Sequence, residues 1–291
     1  MQASTTLILL LVATGQRPAE GTHSDEAAKA KSQRLLELHT SDAASYSIYR
    51  DDKRSQKLEL KREPVYRWTN PTRVGGQAGE VFVWTYRGRP EVVGSIFSHP
   101  SGDGQRCMCH ELHSLSLAVL IVDRTAAEQW VPQAAGVDLK PLEGAPTPAL
   151  SAVQRLTQMR GLAREFTGKS LSSQGQAWEL RLLPQPLYRY ESTDPDVLDG
   201  ALFTLVSSAG TDPEIILLLE ARKSQASHQW VFGAARFSDM NLWLNHRGHE
   251  VWSSIRSDEN TFNHDAKHRF RFYQDRFVPE IGTEGQTKEV K

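Results

Sequence analysis

The sequence predicts an α+β fold made of two tandem repeats, each an N-terminal helix followed by an antiparallel β-meander wrapped on it. Three observations lead to this prediction: a motif that recurs in the two halves, an apolar stripe of helical period ahead of each copy, and a change to period-two alternation after each stripe. The 291 residues suffice for two ordinary domains.

The recurring motif starts at a proline in each half. Residues 64–68 read PVYRW and residues 186–190 read PLYRY, which gives an offset of 186 − 64 = 122 residues. The same offset pairs Gly88 with Gly210. Matches in one order and at one offset indicate an internal repeat. We interpret the repeated Tyr-Arg pair as strand packing.

A helix is predicted at the start of each repeat. In the second repeat, apolar residues recur every three or four positions from Leu150 to Phe166, with Arg155 off the stripe and Pro148 before it. In the first repeat, the segment 25–46 is the counterpart. Its capping residues are predicted to be Ser24, Asp25 and Glu26. Its buried positions are predicted to be Leu35, Leu38 and Tyr46.

The strands follow each helix. Valine, isoleucine and aromatic residues flanked by glycine and proline are typical of strands. The predicted hairpins are 80–86 with 91–97 and 201–206 with 214–220, and further strands are predicted at 115–122, 229–237 and 270–277. A helix with such a meander is built like cystatin-like and nuclear-transport-factor-like (NTF2-like) folds, an analogy that carries no function.

The N-terminus carries a targeting signal. Residues 7–13 read LILLLVA, which is too short to span a bilayer but fits the apolar part of a signal peptide. The small residues Ala13 and Gly15 fit a cleavage site, so we expect export to the periplasm or the medium and no transmembrane span. The predicted divisions are a signal peptide at 1–15, a first α+β unit at 24–140, a linker at 141–148, a second α+β unit at 149–278 and a disordered tail at 279–291.

Composition limits the partners and cofactors. The 34 basic and 35 acidic residues nearly cancel, so no long-range field attracts a polyanion, and nucleic acid is not an expected partner. The sequence has no GxSxG, Walker A, GxGxxG or CxxC motif, and we therefore predict no cofactor. With only two cysteines, two residues apart, the fold depends on its core rather than on disulfides.

One dense cluster of chemically active residues occupies positions 107–113, which read CMCHELH. On a strand, Cys107, Cys109, Glu111 and His113 point to one face and His110 points to the other. Thiolates and imidazoles bind zinc or copper, so Cys107, Cys109, His110 and His113 are candidate metal ligands.

Glu111 and His113 are alternatively candidate catalytic residues, as an acid–base pair at the mouth of the core. A third interpretation is a solvated strand end whose cysteines pack as small apolar residues. Gly233 and Ala235 stand at the equivalent positions of the second repeat, so any such site belongs to the first repeat.

Two weaker groups lie near the C-terminus. His246, His249 and Glu250 surround a turn and could add metal ligands, although a solvated hairpin accounts for them better. The others, His264, Asp265 and His268, precede the predicted strand 270–277, whose arginines we expect on a solvated face.

Four segments resemble a family of bacterial exported proteins without an assigned function. They are residues 178–195, 199–203, 79–84 and 110–115, which read WELRLLPQPLYRYESTDP, DGALF, GEVFVW and HELHSL. The resemblance implies export and no particular activity. The Cys-Met-Cys segment at 107–109 is not a feature of that family, which counts against a metal site.

The prediction for function is a non-enzymatic binding or interaction module whose partner is an unknown small molecule or protein. One alternative is a hydrolase-type or metal-dependent enzyme with its site around Glu111 and His113. Another alternative is a structural component of the cell envelope.

Overall fold

The computed structural model describes residues 20–70, 76–124, 130–224, 227–255 and 267–281. The predicted signal peptide, residues 282–291 of the predicted tail, His264 and Asp265 lie outside this described part. Two helices are present in it, α1 (Glu20–Ala44) and α2 (Ala152–Ala163). Neither has the length and apolarity that a bilayer-spanning helix requires.

The predicted α+β class is wrong, because the chain is mainly β. Strands account for 50% of it and helix for 13%, and the antiparallel sheets are curled. The physical reason lies in the core. Most of the buried apolar side chains come from strands that pack against other strands, so the helices contribute little to the core.

The predicted apolar stripe near α2 is confirmed at Met159, Leu162 and Phe166, which are buried, but it is wrong at its N-terminal end. Leu150 and Val153 are 100% and 75% exposed, whereas Arg155 is buried. Its Nε donates to Asp199 Oδ2 at 2.7 Å, and its Nη1 donates to the carbonyl of Leu150. A buried guanidinium must be paired, and this pairing orients the helix more strongly than two exposed apolar side chains can. The cap is Ser151, whose side chain accepts from the amide of Gln154.

The first sheet has six antiparallel strands. They are β2 (Glu59–Leu60), β3 (Tyr66–Asn70), β4 (Gln77–Tyr86), β5 (Arg89–Pro100), β6 (Gln105–Ser114) and β17 (Phe270–Pro279). Their order is β17-β6-β5-β4-β2, with β3 also paired to β4. Strand β17 falls within the predicted second unit but joins β6 of this sheet. Its Arg271 is buried, so the expected solvated face is wrong there.

The second sheet has nine strands in the order β16-β15-β9-β10-β12-β13-β14-β8, with β11 paired to β12. They are β8 (Lys140–Pro141), β9 (Phe166–Leu171), β10 (Ala177–Leu182), β11 (Tyr188–Tyr190), β12 (Val197–Val206), β13 (Pro213–Ser224), β14 (Ser227–Arg236), β15 (Asn241–His246) and β16 (His249–Ser254). The predicted linker begins in β8, and its Leu142 is buried.

A short two-stranded ribbon stands apart from both sheets. It consists of β1 (Ser47–Tyr49) and β7 (Ile121–Asp123). Of the predicted strand at 115–122, only the last two residues, Ile121 and Val122, lie in a strand. Leu117 and Val119, which belong to that predicted strand, are 43% and 48% exposed.

The two sheets stack face to face, and each helix contacts the outer side of one sheet. Alternate residues of β4, β5 and β6 meet alternate residues of β12, β13 and β14 in a shared core, because side chains alternate across a strand. Helix α1 contacts β4 and β5, and helix α2 contacts β12 and β13.

The repeated Tyr-Arg pairs tie the helices to the sheets. Arg67 Nε donates to Glu80 Oε1 at 3.2 Å, and the same carboxylate bonds His39 of α1. In the second half, Arg189 Nη2 and Arg155 of α2 both donate to Asp199. A carboxylate on the first long strand thus receives one partner from the helix and one from the Tyr-Arg motif in both halves.

Candidate functional site

A cavity of about 390 Å³ lies between the two sheets. We call it the inter-sheet cavity. The first sheet contributes β3, β4, β5, β6 and β17, and the second half contributes the β9–β10 hairpin, the start of β13 and the segment after β14. Its aromatic lining comprises Trp68, Phe97, Trp178, Phe237 and Phe272. The volume lies in the range of small-molecule sites.

Glu111 is the predicted site residue that lines this cavity. It is 8% exposed, and its carboxyl makes no hydrogen bond with any residue that the structure describes. Burial raises its pKa well above the usual range, and the charges of Asp239, Asp212 and Glu214 raise it further, while Arg236 lowers it. A buried carboxyl without a protein partner is costly, so it is poised to bond a ligand.

Two further carboxylates line the same cavity. Asp212 Oδ1 accepts from Asn70 Nδ2 at 2.9 Å, a bond between the two halves of the chain. Asp239 lies in the segment after β14. Both make further polar contacts within the protein. The lining therefore combines aromatic faces with three carboxyl groups, which favours a ligand that carries positive charge or several hydrogen-bond donors.

The two cysteines are buried on the same face of β6, as the alternation predicts. Their Sγ atoms lie 3.8 Å apart, and both cysteines are free thiols. Cys109 also lines the inter-sheet cavity. Burial raises the pKa of each thiol, and for Cys109 the neighbouring Cys107 and Glu111 raise it further. The predicted face of this strand is confirmed, but it is a buried face and not a solvated end.

His113 faces a different cavity from Glu111. This cavity, of about 320 Å³, is lined among others by Asp138, Arg236 and Arg269. The Nδ1–H of His113 donates to the Ser114 carbonyl at 2.7 Å. Burial lowers the pKa of His113 to about 3, although the bond to the Ser114 carbonyl opposes the shift. The structure thus does not bring Glu111 and His113 to one substrate position, and both residues are buried.

His110 points to the opposite side of the sheet, towards α1. Its Nδ1 accepts from the hydroxyl of Tyr46 at 2.7 Å, and its Nε2 lies 3.4 Å from Asp42 and 3.8 Å from Asp275. Arg276 Nη1 donates to both carboxylates, at 2.9 and 2.7 Å. Burial lowers the pKa of His110. This group is an ion-pair network that fastens α1 to the sheet, with a guanidinium already between the carboxylates.

The weaker candidates are placed apart from this cavity. His246 Nε2 contacts Glu165 Oε2 at 2.9 Å, beside a bidentate bond from Arg247 to the same carboxylate. His249 and Glu250 are exposed in the same hairpin. His268 accepts from the amide of Phe270 through Nδ1 at 3.2 Å. None of these contacts joins the inter-sheet cavity.

Sequence reasoning missed His99 and the cavity residues outside the cluster. His99 lies directly opposite Cys107 in the β5–β6 pairing, and it lines the inter-sheet cavity. The signal was present, because residues 101–104 read SGDG, a turn that fixes the register of the hairpin. Trp178, Asp212 and Asp239 could not be found in this way, since they come from the other sheet.

No family model, no curated protein and no solved structure matches this chain. The function is therefore inferred from the chain's own residues and their arrangement.

Proposed function

We propose that the protein is a non-enzymatic binding module and that the inter-sheet cavity holds a small organic molecule with an ammonium group. The observation that carries the proposal is the carboxyl group of Glu111, which is buried at the cavity wall without a hydrogen bond to any described residue. A ligand that donates to this carboxyl would satisfy it.

The lining suits an ammonium group attached to an apolar body. Trp68 packs against Phe97, with ring centroids 5.5 Å apart, and Phe97 stacks on Phe272 at 6.1 Å. Aromatic faces attract cations and also cover apolar surface. The carboxylates of Asp212 and Asp239 add charge of the opposite sign to that of the ligand, and a bound ammonium group would favour the ionised form of Glu111 as well.

Neither alternative function has a comparable observation in its favour. An acid–base enzyme would need Glu111 and His113 at one substrate, and they line separate cavities. A structural envelope component would be supported by a large exposed apolar patch. The exposed large apolar residues that the structure describes are instead scattered over α2, the segment after β6 and the strand ends.

The test compares two probes of the same shape, phenethylamine and 2-phenylethanol, by isothermal titration calorimetry. We expect the amine to bind and the alcohol to bind at least roughly tenfold more weakly, since tenfold corresponds to about 1.4 kcal/mol. We expect Glu111→Gln to weaken amine binding by a similar factor, because a bound ammonium group favours the ionised form of Glu111, which glutamine cannot adopt.

Glu179→Gln is the matched control, because this carboxylate is 76% exposed and lies in an exposed pair with Lys169. It should leave amine binding unchanged. Equal binding of the alcohol and the amine, or unchanged binding to the Glu111→Gln variant, would contradict the proposal. Thermal unfolding of both variants shows whether the fold is retained.

Export of the chain is a second part of the proposal. It rests on the apolar run at 7–13 and on the resemblance to exported bacterial proteins. In a bacterial host, we expect N-terminal sequencing of the processed protein to begin at Gln16. A product that stays in the cytoplasm with Met1 still present would contradict export.

A tandem duplication is the third part. Strands β6 and β14 begin at 105 and 227, and β3 and β11 begin at 66 and 188, so both pairs are offset by 122 residues. This is the offset of the sequence motif, which supports a common origin of the two halves. A superposition of β3–β6 on β11–β14 that required a different offset would contradict it.

A further inference from the structure

His99, Cys107 and Cys109 bring three metal-binding atoms together on one wall of the inter-sheet cavity. A ring nitrogen of His99 and the two Sγ atoms all lie within 4.8 Å of one another. The arrangement follows from the β-pairing. Cys107 and Cys109 share a face of β6, and His99 is the direct cross-strand neighbour of Cys107 on β5.

We propose that these three residues form a site for a soft metal ion, Zn(II) or Cu(I). The proposal does not depend on the amine-binding function described above. It differs from the ligand set that the sequence predicted, because His110 faces α1 and His113 faces another cavity, and His99 takes their place.

The separation of the thiols fits such an ion. Zinc–sulfur bonds of about 2.3 Å in tetrahedral geometry place two sulfur atoms about 3.8 Å apart. The Sγ atoms of Cys107 and Cys109 are 3.8 Å apart. Thiolate and imidazole donors are also those that select Cu(I) and Zn(II) over harder cations.

A disulfide is the competing use of the two thiols, and the strand disfavours it. Residues two apart on an extended strand have Cα atoms separated by roughly 6.6–6.8 Å, the upper limit for a disulfide, whose S–S bond is about 2.05 Å. The pairing of β5 with β6 runs without a register shift from Val92 to Pro100. Closing the bond would require this regular ladder to bend, whereas a metal ion requires no such movement.

The surroundings of His99 prepare it as a ligand. Its Nδ1 lies 3.1 Å from the carbonyl oxygen of Pro100. A carbonyl only accepts, so Nδ1 carries the proton and Nε2 retains its lone pair. Metal-binding histidines are commonly oriented by such a bond from the other ring nitrogen. Because His99 and Cys109 both line the cavity, we expect the fourth coordination position to lie on the cavity side.

The experiment uses the full chain, purified under reducing conditions and stripped of metal. Zn(II) and Cu(I) are titrated separately against chromophoric chelators, and Co(II) serves as a spectroscopic probe of thiolate ligation. We expect stoichiometric binding of one of the two ions and a thiolate-to-cobalt charge-transfer band. The double variant Cys107→Ser, Cys109→Ser should lose both.

His99→Ala tests the new ligand without disturbing the core, since this side chain is only partly buried. We expect it to weaken the affinity at least tenfold while the Co(II) band persists in altered form. His249→Ala is the matched control, because His249 is exposed on a distant hairpin, and it should change nothing.

Binding of Zn(II) alone or of Cu(I) alone would support the site and identify the ion. Binding of neither ion would overturn the proposal. An unchanged affinity in the His99→Ala variant would also overturn it. Because the two cysteines are buried, thermal unfolding must first show that the double variant is folded. If the double variant is unfolded, the His99→Ala variant decides the test.

Discussion

Glu220→Gln is expected to lower the free energy of unfolding by roughly 3–5 kcal/mol. Glu220 is fully buried between the two sheets. Its Oε1 accepts from Arg89 Nε at 2.7 Å and from the Tyr190 hydroxyl at 2.6 Å, and its Oε2 accepts from Arg222 at 3.0 Å. The substitution removes the negative charge and turns one acceptor into a donor, which leaves the buried guanidinium of Arg89 without its main partner.

Urea denaturation at neutral pH measures this effect. Glu179→Gln is the control, because it breaks an exposed carboxylate–lysine pair that contributes little. Glu91 also bonds Arg89, at 3.0 Å, and provides the remaining compensation. A loss below about 1 kcal/mol for Glu220→Gln would show that Glu91 alone stabilises Arg89, and that the inter-sheet ion cluster does not hold the sheets together.

The second large effect is a loss of stability in acid that originates at His113. Burial lowers the pKa of this imidazole to about 3 in the folded protein, from an ordinary value of 6.5. The folded state therefore binds fewer protons than the unfolded state between these values. The contribution of the neutral His113 side chain to the free energy of unfolding is complete above pH 6.5. It is lost as the pH falls towards 3, by about 1.4 kcal/mol per pH unit at most.

The charged and titratable neighbours that keep His113 neutral are Arg269, His268 and Arg236. His113→Gln retains a donor for the Ser114 carbonyl and does not titrate. We expect its free energy of unfolding to fall less steeply than that of the wild type between pH 6.5 and about 3. His249→Gln, at an exposed position, should keep the wild-type pH dependence. Parallel profiles for wild type and His113→Gln would contradict the prediction.

The local part of the fold was predictable. The hairpins of β4 with β5 and of β12 with β13 follow from alternating apolar residues and intervening turns. The turn at Arg87 and Gly88, with φ of 51° and 84°, is of the type that such hairpins use. The face of β6 that carries Cys107, Cys109 and Glu111 was also predictable, because alternation on a strand is a geometric property of the backbone.

The fold class could not be predicted in the same way. A periodic apolar stripe indicates that a segment has a buried side, but it does not reveal which partner covers that side. The stripe near α2 includes Val153, which is exposed although Met159 and Leu162 are buried. Arg155, which was predicted to lie off the stripe, is buried in its pair with Asp199. Strand β17 is recognisable as a strand, yet its pairing with β6 joins residues more than 150 positions apart along the chain.

The sequence by itself determined the two long hairpins with their turns, and the presence of two thiols, a carboxylate and two imidazoles within residues 107–113. Only the tertiary structure decided which of them meet. In the folded chain, Glu111 and His113 face separate cavities, His110 faces α1, and His99 lies beside the two cysteines. The reason is that strand geometry assigns a side chain to a face, whereas the stacking of sheets, which depends on distant contacts, decides what that face encounters.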